Sequence, residues 1–126
     1  MQLRISLLPH PLAVCRLHPD DPIPPWARGA FVSITRTPEE LSVVCEEGHA
    51  PLDELPVERG WLALKVEGPI PFETTGVAAA LTAPLAEAKI SLFLVATYDT
   101  DYLLVKAHAL DAAVETLRAA GHVVVG

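Results

Sequence analysis

A polar turn separates two apolar segments in the second half of the chain. The turn Thr97-Tyr98-Asp99-Thr100-Asp101 holds hydroxyl groups and two carboxylates. A loop that bears glycines, residues 68–76, precedes an alanine-rich segment with the pattern of a helix. The first N–H groups of a helix lack intrahelical partners and attract anions. Free N–H groups beside carboxylates suit a zwitterion better than a simple anion.

Asp99 and Asp101 have three interpretations. Aspartate is frequent in turns because its side chain accepts hydrogen bonds from nearby backbone N–H groups. Asp101 alone could contact a bound amino acid. The pair could bind a divalent cation, although such cations take six or more oxygen ligands. Gly76, at the end of the loop, would let the backbone approach a helix or a ligand, and a side chain there would exclude the ligand.

No arrangement of residues indicates catalysis. The histidines show no spacing typical of a metal site, and no Cys–His or Ser–His–Asp arrangement follows from their positions. They are His10, His18, His49, His108 and His122. We therefore expect a protein that is not an enzyme and that uses neither a cofactor nor a metal.

Composition narrows the class of protein further. The chain has 126 residues, of which 51% are hydrophobic, and a formal net charge of -7. This length suits one ordinary domain or two very small ones. No basic stripe favours nucleic acid, and no apolar run reaches the roughly 20 residues that span a membrane. Cys15 and Cys45 lie in apolar segments, so we expect buried free thiols and a cytoplasmic protein.

Prolines divide the first half of the chain into short strands. Nine of the twelve prolines lie at or before Pro56, in loops between segments rich in Val, Ile and Leu. The predicted strands of this half are Leu3–Leu8, Leu12–Leu17, Phe31–Arg36 and Leu41–Cys45.

The second half has the order β-α-β-β-α-β, which is typical of a ferredoxin-like α+β fold. The predicted strands are Trp61–Val66, Ile90–Ala96, Tyr102–Ala107 and His122–Val125, and the helices are Thr75–Ala88 and Leu110–Ala120, the second ending at Gly121. In the first helix Val77, Leu81 and Leu85 recur at the helical spacing and predict its buried face. Pro84 lies inside this pattern and predicts a local irregularity.

One hairpin pattern occurs twice. Residues 31–44 and residues 93–105 each read as an apolar strand, a threonine, a polar turn with carboxylates and a second apolar strand. Two copies of one hairpin predict two related small units, of which the first is abbreviated.

Several segments together resemble the ACT-domain proteins related to the CASTOR-type arginine sensors. They are SITRTPEELSVVCEE, GWLALKVEGPIPF and TGVAAALTAPLAEAKISLFLVATYDTDYLLV, followed by a closing helix and strand. ACT domains are βαββαβ modules that bind amino acids, usually between two such domains, and that control an enzyme or a signalling partner. The resemblance implies tandem units, a degenerate one at residues 1–60 and a regular one at residues 61–126. Because the sensors carry four units in one chain, it also implies that a complete site here needs two chains.

The resemblance further implies a set of ligand contacts. The expected ligand-binding residues are Pro71, Phe72, Thr74, Thr75, Gly76, Val77, Ser91, Leu92, Thr97, Tyr98 and Asp101. Ser91 and Leu92 would come from the facing domain, and Asp101 would face the cationic part of a ligand. Thr74 stands where the sensors have an acidic residue, which disfavours arginine and favours a neutral or small polar amino acid. The neighbouring Glu73 could restore that charge.

The leading hypothesis is a regulatory protein that binds a small amino acid at an interface between ACT domains. Its expected partners are that amino acid, a second copy of the chain in a homodimer, and a regulated protein of unknown identity. The apolar side chains of residues 61–66 would form the dimer face. The alternative is a structural dimerisation module with no ligand.

Overall fold

The computed structural model describes residues 1–126 and contains eight strands and two α-helices. The strands are β1 (Arg4–Leu7), β2 (Leu12–Leu17), β3 (Ser33–Arg36), β4 (Leu41–Glu46), β5 (Val57–Val66), β6 (Phe93–Ala96), β7 (Asp101–Lys106) and β8 (Val123–Val125). The helices are α1 (Val77–Glu87) and α2 (Leu110–Ala119). The predicted α+β class and order of elements are confirmed, with shifts of a few residues at the ends. No helix has the length and apolar character needed to cross a membrane.

The chain forms two compact units that are not two successive halves of the sequence. The C-terminal unit comprises Met1–Pro9 with Leu62–Gly126, and the N-terminal unit comprises His10–Trp61. The expected division into residues 1–60 and 61–126 is therefore corrected for the first nine residues, which belong to the C-terminal unit because β1 pairs there. That the N-terminal unit is a degenerate ACT domain stays a prediction.

In the C-terminal unit, β1 is inserted between two strands of the predicted β-α-β-β-α-β sheet. It pairs antiparallel with β5, where Ile5 lies opposite Val66, and parallel with β8, where Ile5 lies opposite Val124. β5 also pairs with β7, which pairs antiparallel with β6. The order β8-β1-β5-β7-β6 keeps the ferredoxin-like arrangement and adds one strand to it.

The core of this unit lies between the sheet and the two helices. Its buried members are Ile5, Leu64, Val66, Val77, Leu81, Leu85, Leu103, Val105, Ala113, Leu117 and Val124. The predicted buried face of α1 is confirmed, and burying each such large side chain contributes about 1.5–3 kcal/mol. Because Leu64 and Val66 are in this core, the prediction that residues 61–66 form an apolar dimer face is wrong for these side chains.

The two helices end in the same backbone motif but with different residues. After α2, Gly121 has a φ of 99°, and the N–H of His122 donates to the Leu117 carbonyl at 3.1 Å. After α1, Lys89 takes the left-handed position with a φ of 60°, and the N–H of Ile90 donates to the Leu85 carbonyl at 2.9 Å. These are Schellman ends, which favour glycine at the left-handed position. The predicted end of α2 at Gly121 is confirmed.

The N-terminal unit is a small antiparallel sheet without an α-helix. β2 pairs with β4 and with the first part of β5, and β4 also pairs with β3. Cys15 and Cys45 are free and buried in its core, as predicted. Burial, reinforced by the neighbouring Cys45 thiol, raises the pKa of Cys15 to about 11, and burial likewise raises the pKa of Cys45.

The repeated hairpin is confirmed by matching hydrogen bonds in the two units. The N–H of Thr37 donates to the Glu40 carbonyl at 2.9 Å, and the N–H of Thr97 donates to the Thr100 carbonyl at 2.9 Å. Each threonine oxygen also accepts a bond from the N–H three residues later, at 3.2 and 3.3 Å. A 3-10 turn follows the second strand in both copies.

Candidate functional site

A cavity of about 190 Å³ lies in the C-terminal unit, between the loop that follows β5 and the turn that joins β6 to β7. Its lining residues are Ile70, Pro71, Phe72, Thr74, Val77, Ala96, Thr97, Tyr98, Asp99, Thr100 and Asp101. Sites for drug-sized ligands usually exceed about 300 Å³. The smaller volume here suits a ligand of the size of one amino acid.

Two threonines hold the β6–β7 turn in shape. The Thr97 hydroxyl donates to the Thr100 carbonyl at 2.7 Å and accepts from the Thr100 N–H at 3.3 Å. The buried Thr100 hydroxyl donates to the Val66 carbonyl, at the end of β5, at 2.6 Å. The Thr97 hydroxyl is thus engaged within the turn, which is a structural role beside the ligand contact predicted for it.

The loop after β5 lies directly against this turn. The N–H of Ile70 donates to the Asp99 carbonyl at 2.7 Å. A Cβ at Gly68 would be 3.0 Å from the same carbonyl oxygen and 3.2 Å from the Cβ of Thr100. Glycine at position 68 therefore permits the close approach of the two cavity walls.

Two aromatic rings form part of the rim of the cavity. Phe72 and Tyr98 pack edge to face, with ring centroids 4.6 Å apart and an interplanar angle of 78°. This geometry is a favoured one for aromatic pairs. The residues are nevertheless 70% and 78% exposed, so the rim presents uncovered aromatic surface.

α1 begins beside the cavity at a glycine. Gly76 is the N-cap with a φ of 84°, it has no side-chain cap, and its carbonyl accepts from the N–H of Ala80 at 2.9 Å. The N–H groups of the first turn, from Val77 onward, have no intrahelical partner. Gly76 is exposed and a Cβ there meets no protein atom within 4 Å, so the expectation that a side chain at position 76 would exclude the ligand stays a prediction. Its positive φ is what requires glycine.

The structure brings seven of the eleven predicted ligand-binding residues into the lining of this one cavity. They are Pro71, Phe72, Thr74, Val77, Thr97, Tyr98 and Asp101. Thr75 and Gly76 are exposed and lie between two lining residues in the sequence. Ser91 and Leu92 are not part of the lining: Ser91 is exposed, and Leu92 packs against the core of the same unit.

Four residues of the lining are not among the ligand contacts expected from the sequence. They are Ile70, Ala96, Asp99 and Thr100. Asp99 and Thr100 were visible as members of the polar turn. The burial of Thr100 had no sequence signal, because turn threonines are usually exposed and the partner of its hydroxyl, Val66, is distant in the chain.

The charge of the lining is negative. Asp99 and Asp101 are its only formally charged side chains, and no Lys, Arg or His lines it. Thr74 is part of the lining but Glu73 is not, so the structure does not place the charge of Glu73 at the cavity. No group of three or more His, Cys, Asp or Glu residues could hold a metal ion. The lining is complementary to a cationic group such as an ammonium.

Comparisons with known proteins agree with this fold. A sequence profile of the ACT domain matches residues 56–119, and a profile of an N-terminal domain matches residues 11–53. The chain is 36% identical over 108 aligned residues to the cytosolic arginine sensor for mTORC1 subunit 1 of Bos taurus, covering 75% of this chain and 32% of the sensor. A crystal structure of an Agobacterium tumefaciens protein is 36% identical with a TM-score of 0.93, covering 99% of this chain and 93% of that one.

Proteins of lower sequence identity also have a similar fold. The regulatory subunit of aspartate kinase from Thermus thermophilus has a TM-score of 0.64 at 14% identity, covering 93% of this chain and 96% of that subunit. The class is thus an α+β protein with the fold of that regulatory subunit. The chain belongs to the ACT-domain family and is related to the CASTOR-type arginine sensors, which confirms the resemblance seen in the sequence. It spans about a third of the length of the bovine sensor, of which 32% is covered.

Proposed function

We propose that this chain is a regulatory protein, not an enzyme, that binds a small amino acid in the cavity of its C-terminal unit. The observation that supports the proposal most is that Val77, at the start of α1, and Asp101 line one space of about 190 Å³. Membership of the ACT-domain family and the relationship to arginine sensors support an amino acid as the class of ligand.

The two ends of the proposed site have opposite polarity. The carboxylate of the amino acid accepts hydrogen bonds from the first N–H groups of α1, where the helix dipole favours negative charge. Its ammonium group faces Asp101, and hydrogen bonds between charged groups are about twice as strong as neutral ones. Thr74, Phe72 and Tyr98 border the side chain of the ligand.

A second copy of the chain completes the site in a homodimer. Support comes from the rim, where Phe72 and Tyr98 are 70% and 78% exposed and would be covered by a partner. Ser91, which is exposed, reaches the ligand from that second copy together with the main chain of Leu92, whose side chain packs in its own core. The dimer acts in the cytoplasm, in keeping with its free thiols, and transmits occupancy of the site to a regulated protein.

A structural dimerisation module without a ligand is the second candidate. The exposed pair Phe72 and Tyr98 favours it, because the same rim would fit a protein surface equally well. In that case the cavity would be a gap left beside the turn and would bind no amino acid.

Thermal denaturation with each proteinogenic amino acid in turn separates the two candidates. A ligand present at 100 times its dissociation constant adds about 2.7 kcal/mol to the free energy of unfolding. The proposal expects such a shift for at least one amino acid, together with a dimer in sedimentation velocity. A dimer that no amino acid stabilises would favour the structural module, and a monomer without any shift would contradict both.

A further inference from the structure

His122 is buried, and both of its ring nitrogens are engaged by the backbone. The N–H of Leu3 donates to Nδ1 at 3.0 Å, and Nε2 lies 3.0 Å from the carbonyl oxygen of Ala80. A backbone N–H can only donate and a carbonyl can only accept. Nδ1 is therefore the acceptor, and the Nε2–H group is the donor to the Ala80 carbonyl.

Pro84 explains why the carbonyl of Ala80 needs this partner. In a regular helix, that carbonyl would accept a bond from the N–H of residue 84, four positions later. Proline has no N–H, so its place inside α1 leaves the carbonyl without its helical partner. The Nε2–H group of His122 takes the place of the missing donor.

Ala80 is also bonded to the residue at the start of α1, beside the cavity. The N–H of Ala80 donates to the carbonyl of Gly76 at 2.9 Å, which forms the first bond of the helix. Gly76 has no side-chain cap, and the next residue, Val77, lines the cavity. Hydrogen bonds thus join Leu3, just before β1, to His122 and join His122 to Ala80. Ala80 is in turn bonded to Gly76 at the start of α1.

We propose that His122 is a positioning residue for the cavity. By holding the Ala80 carbonyl, it fixes the first turn of α1, which begins at the cavity-lining residue Val77. The consequence for amino-acid affinity rests on the proposed function, whereas the consequence for the order of α1 does not.

Two substitutions test the hydrogen bonds of the two ring nitrogens of His122 one at a time. In His122→Gln the side-chain amide nitrogen matches Nε2 and keeps a donor for Ala80. In His122→Asn the amide oxygen matches Nδ1 and keeps an acceptor for Leu3. We expect His122→Asn to speed amide hydrogen exchange at Ala80 about tenfold and His122→Gln to leave it nearly unchanged. The amide of Leu103, in the core strand β7, reports any global loss of stability.

Pro84→Ala should reverse the effect of His122→Asn on exchange at Ala80. It restores an N–H four residues after Ala80, so His122→Asn in this background should no longer speed exchange at Ala80. The inference is overturned if exchange at Ala80 and at Leu103 rises equally in His122→Asn, or if Pro84→Ala gives no rescue. If His122→Asn does not fold alone, the double variant with Pro84→Ala must fold, and its failure to do so would equally overturn the inference.

Calorimetric titration with each proteinogenic amino acid tests the link to the ligand. The best binder should lose about three- to tenfold in affinity in His122→Asn and regain it with Pro84→Ala. If no amino acid binds the unaltered protein, the proposed function fails while the exchange result still decides the role of His122. If binding is intact in His122→Asn although exchange at Ala80 is faster, the positioning of the ligand site by His122 is refuted.

Discussion

The hydroxyl oxygen of Thr100 lies 2.6 Å from the carbonyl oxygen of Val66, and this buried bond fastens the β6–β7 turn to the end of β5. The turn contributes the carboxylates of the cavity, and the end of β5 leads into the loop that carries Phe72. This side-chain hydrogen bond and the backbone bond from Ile70 to Asp99 together hold the two walls of the cavity near each other.

Thr100→Val tests this bond at nearly constant shape. The valine leaves the Val66 carbonyl buried without its donor, so the free energy of unfolding should fall by about 1–3 kcal/mol. Urea denaturation followed by circular dichroism measures the change. Thr100→Ser is the matched control, because it keeps the hydroxyl group. Equal stability of the serine and valine variants would show that the bond is not what holds the turn.

Lys89→Gly and Gly76→Ala should have opposite effects on stability. Lys89 has a φ of 60° and Gly76 a φ of 84°, and the left-handed region costs a residue with a Cβ about 1–2 kcal/mol. Lys89→Gly should therefore stabilise the protein by about 1 kcal/mol and Gly76→Ala should destabilise it by a similar amount. A Cβ at position 76 meets nothing within 4 Å, so strain is the only expected cause. Urea midpoints that move in the same direction for both variants would refute the assignment.

The sequence predicts features of the fold that depend on neighbouring residues, and it does not predict contacts between residues that are distant in the chain. The spacing of Val77, Leu81 and Leu85 defines the buried face of α1 because helical periodicity is a local property. The pairing of β1 with β8 could not be predicted, since it joins residues at opposite ends of the chain. The role of His122 was missed for the same reason: its bond to Leu3 crosses almost the full sequence.

In the candidate site, too, features with a local sequence pattern could be predicted and contacts between distant residues could not. Seven predicted residues meet in one cavity because the loop, the helix start and the turn each had a local signal. The left-handed backbone at Lys89 had none, because lysine is not the residue that such a position favours. The close approach at Gly68 also depends on Asp99, which lies on a different element.

The buried thiols predict a loss of stability at alkaline pH. Burial raises the pKa of Cys15 from an ordinary value of 9.0 to about 11, so the folded protein retains a proton that the unfolded chain releases. This contribution is complete below about pH 9 and is lost as the pH rises towards 11. Urea midpoints between neutral pH and pH 10.5 should fall more steeply for the unaltered protein than for Cys15→Ala. Parallel curves for the two proteins would exclude the thiol as the cause.

Thr74 predicts which amino acid binds best. This residue lines the cavity. The resemblance to the arginine sensors implies an acidic residue at this position in them, so a neutral or small polar amino acid should bind more tightly than arginine here. Thr74→Glu should raise the affinity for arginine relative to that for the neutral ligand, whereas Glu73→Gln, outside the lining, should leave the ranking unchanged. Calorimetric titrations provide the affinities. Arginine as the tightest ligand of the unaltered protein would reverse this conclusion.

In the proposed site the ammonium group of the bound amino acid lies at Asp101. Calorimetric titration of Asp101→Asn with the amino acid that best stabilises the unaltered protein tests this placement, with Asp53→Asn in the N-terminal unit as the matched control. Loss of one charge-assisted hydrogen bond at constant shape should weaken binding by about 1–2 kcal/mol, or roughly five- to thirtyfold, while Asp53→Asn binds normally. Unchanged affinity in a normally folded Asp101→Asn protein would place the amino acid elsewhere and refute this site.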